Sequence, residues 1–90
     1  MTDESYNGWK NWDTWNMMLV LESDERANNN LMAWHKNFKR KIARGVFNQE
    51  KAESVVKKYL IPAARKFDPE IDAKKVDKAE IVKYILEIEE

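Results

Sequence analysis

His35 is the only histidine in this 90-residue chain. To act as a general base it would need an orienting partner and a nucleophile within reach. No nucleophile motif, glycine-rich phosphate loop or acid cluster with loop-ligand spacing accompanies it. It lies one position past Trp34 on the flank of an apolar stripe, which reads as a boundary residue with its polar tip in water. Glu22, Asp24 and Glu25 lie close together, but a calcium loop also needs a central glycine and a distal glutamate. Negative charge at a helix start, favoured by the helix dipole, accounts for them more simply. The chain has no cysteine, so it has no thiol nucleophile, disulfide or thiolate zinc site. The expectation is a protein with no enzymatic activity, cofactor or metal.

Binding chemistry is better represented. Formal net charge is zero, but residues 35–66 carry ten basic and two acidic side chains, between two segments that are each net acidic. On a helix, Lys36, Lys39, Arg40 and Arg44 fall within an arc of roughly 140°. Lys51, Lys58, Arg65 and Lys66 share an arc on the next helix if that helix runs through Pro62. Two adjacent basic arcs could follow a phosphate backbone. A solvated face whose cations suit a helix C-terminus is the preferred reading. No base-reading motif is visible, so any nucleic-acid binding would be backbone-led and salt-sensitive.

The N-terminus offers a different surface. Trp9, Trp12 and Trp15 recur at intervals of three, with Tyr6 before them. Rings left exposed there would anchor a protein partner; rings turned inward would cover one end of the core. Trp15 belongs to the core side of a helix, whereas Trp9 lies in the arm and has the least structural reason to be there. Val20 faces nearly opposite Trp15, Met18 and Leu19, and this makes the first helix apolar over more of its circumference than a monomer requires. A homodimer burying Val20 or Trp9 would reconcile that excess with solubility. The candidate partner-binding residues are therefore Tyr6, Trp9, Trp12 and Val20.

These residues need a scaffold. Ninety residues make one domain with a modest core, the first ten forming a partly ordered aromatic arm. Two glycines and two prolines disfavour a turn-rich β fold. The first helix begins at Asn11 or at Asp13; Asp13 as cap would pair Trp12 with Met17 as a staple. A strand over 17–21 is the competing assignment. The second helix begins at Ser23 or Asp24, buries Ala27, Leu31, Trp34, Phe38 and Ile42, and ends at Gly45. The third begins at Asn48 and buries Ala52, Val55, Val56, Tyr59 and Leu60. It then kinks at Pro62 or restarts there, with Ala63, Ala64 and Phe67 continuing its buried face. After a break at Asp68-Pro69-Glu70, Asp77 and Glu80 form a capping box, with Val76 stapled to Ile81. Ile81, Tyr84, Ile85 and Ile88 form the last stripe. The predicted fold is all-α, a bundle of about four mostly antiparallel helices. The longest apolar run, residues 17–21, is far short of a membrane span, and the polar N-terminus points to the cytoplasm.

The stretch YNGWKNWDTWNMMLVLESDE resembles small proteins of phages, archaeal viruses and other mobile elements with an Asn-aromatic-Glu-Thr-Trp-Asn signature. Asn11, Thr14, Trp15 and Asn16 match, while Asp13 replaces the usual glutamate. The tail VDKAEIVKYILE is similar to the same proteins' ending, with Lys78 where an aromatic is common. The family has no settled function. The resemblance implies a viral or mobile-element setting, and with it the expectation of an accessory protein that binds another protein, such as a host or defence component. The alternative is a nucleic-acid-binding accessory or regulatory protein using residues 36–66.

Overall fold

Capping chemistry sets the helix boundaries in the computed structural model, which describes residues 9–88. Helix α1 (Trp12–Ser23) starts at Asn11, whose side-chain oxygen accepts the Thr14 N–H at 2.9 Å. Asp13 therefore lies in the first turn, where its charge suits the dipole, and Trp12 is the first helical residue rather than a staple. The run 17–21 is helix, not strand. Asp24 alone separates α1 from α2 (Glu25–Ala43) and caps the latter by accepting the Ala27 N–H at 2.9 Å. At the far end Gly45 adopts φ +73°. The bonds Gly45 N–H to Ile42 O at 3.0 Å and Val46 N–H to Lys41 O at 2.9 Å close a Schellman ending.

Helix α3 occupies residues 49–67, and Asn48 caps it by accepting the Lys51 N–H at 3.0 Å. It is α-helical over Gln49–Val55, π-helical over Val56–Leu60 and α-helical again over Ile61–Phe67. In the wide turn the Ile61 N–H reaches Val56 O, five residues back. Pro62, which has no donor and would clash with the carbonyl four residues back in a regular helix, follows directly. The helix passes the proline by widening. Regular spacing would place Tyr59 within about 20° of Ala52 on the helix circumference. The under-rotated turn moves Tyr59 away from the core, and it is 58% exposed.

Helix α4 (Lys78–Glu87) starts at Asp77, whose carboxylate accepts the Glu80 N–H at 3.0 Å. The reciprocal half of the expected capping box is replaced. The Asp77 N–H donates to Thr14 Oγ1 at 2.9 Å, and the Glu80 carboxylate accepts the Lys10 N–H at 2.9 Å. The box is opened because the N-terminal segment supplies better-placed partners for both groups.

Among the described residues the chain thus forms an all-α bundle of four helices. Helix α1 packs on α2 and on the later part of α3, and α4 packs on α2 and on the earlier part of α3. Met17, Met18, Leu21, Leu31, Val56 and Ile85 fill the centre. Not every expected core residue is there. Leu19, Ile42 and Phe67 are exposed, and Trp15, Trp34, Val55, Ala63, Tyr84 and Ile88 are only half-buried. On α1 the buried line that carries the apolar core is Met17, Met18 and Leu21 with Thr14, and Leu19 lies more than a quarter turn away from that line. Ile42 and Phe67 lie in the last turns of their helices, beyond the covering elements. No helix among the described residues is long and apolar enough to cross a membrane.

Candidate functional site

The polar residues of the N-terminal signature converge on one partner, the connection 68–77 between α3 and α4. Asn11 donates from Nδ2 to Lys75 O at 2.7 Å while its Oδ1 accepts from Thr14. Asp13 accepts the Asp72 N–H at 2.9 Å. Thr14 donates its hydroxyl to Asn11 Oδ1 at 2.8 Å and accepts the Asp77 N–H. Asn16 donates from Nδ2 to the Asp68 carboxylate at 2.5 Å. Asp13, Thr14 and Asn16 are all buried. A ten-residue connection without a helix or strand of its own would otherwise leave backbone donors unsatisfied where it covers the core. The signature is thus a clasp. It explains why α1 is polar and apolar by turns around its circumference: one side meets the helices and another meets this connection.

Comparison with protein-family models, curated proteins and solved structures finds no match.

The aromatic arm has an intramolecular surface of its own. The Trp9 ring is half-buried and lies 5.2 Å from the Tyr84 ring, tilted by 51°. The Tyr84 hydroxyl donates to the Glu22 carboxylate, so Trp9, α4 and α1 are linked in series. Partial burial raises the pKa of that carboxyl above its ordinary value. Lys10 Nζ adds an exposed ion pair with Asp77 at 3.9 Å, which contributes little. Trp12 and Val20 are half-buried. Val20 lies about 40° around α1 from Asn16, on the side that the connection covers. Tyr6 lies outside the described residues.

His35 corrects an expectation. It is 2% exposed, and its Nδ1 lies 2.7 Å from Ile85 O. A carbonyl oxygen can only accept, so Nδ1 carries the proton. Helix α4 packs over the flank of the α2 stripe, and the imidazole ties the two helices together there rather than reaching into water.

Lys36, Lys39, Arg40, Arg44, Lys51, Lys58, Arg65 and Lys66 are all exposed. Among the described residues none of them forms an ion pair. The widened turn in α3 acts like one inserted residue, which rotates Arg65 and Lys66 by about 100° relative to Lys51 and Lys58. The shift turns Arg65 out of the arc of Lys51 and Lys58, while it carries Lys66 to within about 40° of them, so the basic arc continues past Pro62 through Lys66.

Between α2 and α3 lies a surface that the pattern of the sequence does not announce. Trp34 on α2 stacks on Tyr59 of α3, with ring centroids 5.7 Å apart and planes at 26°. On one side of this stack a depression of about 250 Å³ is lined by residues including Phe38, Lys41, Val46, Lys51 and Val55. On the other a second depression, also of about 250 Å³, is lined by residues including Leu21, Asn30, Leu60 and Ala63. Phe47 also lines the first, edge-on to Phe38 at 5.8 Å. The one available signal was the pair Val46-Phe47 directly after the helix-ending Gly45, two apolar residues in a segment that is otherwise polar or basic.

Proposed function

We propose that this chain is a small non-enzymatic accessory protein of a virus or mobile element, acting by binding another protein, such as a host or defence component. The observation that carries the reading is the division of labour among its side chains. The polar groups of the signature are occupied in internal hydrogen bonds, whereas Val46 and Tyr59 stand exposed beside lysines that have no ion-pair partner among the described residues. Exposed apolar side chains rimmed by polar groups are a mark of protein-interaction surfaces. The viral setting rests on the resemblance of residues 6–25 and 76–87 to mobile-element proteins.

The test is affinity capture from host extract followed by reconstitution with the purified captured protein, wild type against Tyr59→Glu and Trp9→Ala. A direct complex weakened by one of these substitutions is the expected result. The exposed cations favour a second reading, a nucleic-acid-binding accessory protein. Steeply salt-dependent binding to DNA or RNA, lost on reversing Lys36, Arg40 and Lys58, with no direct protein complex, would replace the first reading with the second.

A further inference from the structure

We propose that the groove between α2 and α3 is a docking site for an acidic amphipathic helix of a partner protein. The inference rests on the protein-binding reading above and names the surface and the chemistry of the occupant.

Three observations carry it. First, the groove has two depressions rather than one, separated by the Trp34–Tyr59 stack. Their linings are centred about eight residues apart along α3, a separation of roughly 12 Å at the helical rise of 1.5 Å per residue. Two side chains on one face of an α-helix, seven or eight residues apart, span that same distance. The groove therefore matches two apolar anchors separated by two turns, the pattern by which helices dock in grooves. Second, the surface between and around the depressions is apolar and open. Tyr59 is 58% and Val46 61% exposed, and the aromatic stack offers a flat ridge on which a helix backbone can rest. Third, the charged residues that line the groove are basic and gather at the first depression, while the second is lined by uncharged residues. Lys41 and Lys51 line the first depression. Lys58 is exposed next to Tyr59 in the chain. Residues 35–66 as a whole hold ten basic side chains against two acidic ones, Glu50 and Glu53. An occupant with carboxylates flanking the anchor in the first depression meets complementary potential there, whereas a basic helix is repelled.

The Trp34–Tyr59 ridge also bears on a competing occupant. Single-stranded nucleic acid binds by stacking bases on free ring faces. Here the two rings are partly stacked on each other, which leaves less free ring face than an open stacking platform offers. Carboxylates and two aliphatic anchors make fuller use of this surface than phosphates and bases do.

The experiment selects helix-biased peptides of about 16 residues, roughly 24 Å long, from a random display library on the full chain. The best binder is then titrated by fluorescence against wild type, Lys41→Glu/Lys51→Glu and Val46→Asp. All substituted residues are exposed, and circular dichroism checks the fold of each variant. An oligothymidylate of about 16 nucleotides is titrated in parallel. The expected result is enrichment of peptides with two large apolar residues seven or eight apart and flanking Asp or Glu. Their affinity falls by about tenfold or more in each variant, and the charge-reversed variant gains affinity for the same peptides with Lys in place of Glu. Selected peptides that bind all variants equally, or that are basic, overturn this inference alone and leave protein binding elsewhere on the molecule standing. Oligothymidylate binding that Lys41→Glu/Lys51→Glu abolishes, with no peptide enriched, overturns both this inference and the protein-binding reading.

Discussion

Two regions of this molecule are rich in polar and aromatic side chains, and they use them in opposite ways. In the N-terminal clasp Asn11, Asp13, Thr14 and Asn16 each find a partner in the connection 68–77, and three of the four are buried. On the α2–α3 face the lysines and arginines reach into solvent without ion-pair partners among the described residues, and Val46 and Tyr59 stay uncovered. The difference teaches how to read an unusual motif in a small protein. In the clasp Asp13, Thr14 and Asn16 are buried, and burial is what requires them to find hydrogen-bond partners elsewhere in the chain. Residues left without partners are the ones available to another molecule.

The comparison can be broken most sharply at Thr14. Replacing it by Val keeps the shape but removes both hydroxyl bonds and orphans the Asp77 N–H; a loss of about 2–3 kcal/mol is expected in chemical denaturation. Asn16→Ala should cost about 1.5–2 kcal/mol, because the bond it removes is to a carboxylate. A double-mutant cycle with Asp68→Ala should show coupling of at least about 0.5 kcal/mol. Asn11→Ala removes a cap and the tie to Lys75 O, with an expected cost of about 1 kcal/mol. On the other region, Lys36→Glu with Arg40→Glu should change stability by no more than about 0.5 kcal/mol. A large loss there would mean the cations are part of the scaffold.

The smallest effect is a pH dependence at Glu22. Its folded pKa is raised by desolvation above the unfolded value. Folding therefore favours the protonated carboxyl, so this residue's contribution to stability improves as pH falls through the raised value and is unfavourable above it. Glu22→Gln should remove that dependence between the ordinary and raised carboxylate values, visible as a flatter stability profile in mildly acidic buffers.

Much of the architecture was legible because it is local. Asp24, Asn48, Asp77 and Gly45 end or begin helices through bonds to residues three or four positions away, and their types announce this. What was not legible is set by elements far apart in sequence. Glu80 has the spacing to reach back to Asp77, yet it accepts from Lys10, 70 residues away. His35 has the position of a boundary residue, but α4 covers it. Tyr59 fits a regular helical stripe, and the widened turn before Pro62 displaces it. The α2–α3 groove needs two helices side by side, and no single stretch of sequence contains both walls. Conversely, the clasp residues were visible as a signature while their role was not, since their partners lie between Asp68 and Asp77.

Hydrogen exchange at the backbone amides of Asp72 and Asp77 tests the clasp most directly. The expected result is protection of both amides in the wild-type chain, loss of protection at Asp77 alone in Thr14→Val and at Asp72 alone in Asp13→Ala, with α2 and α3 unchanged. Wild-type amides at these two positions that exchange as fast as open loop would contradict the clasp, and with it the division between an occupied N-terminal motif and an available α2–α3 face.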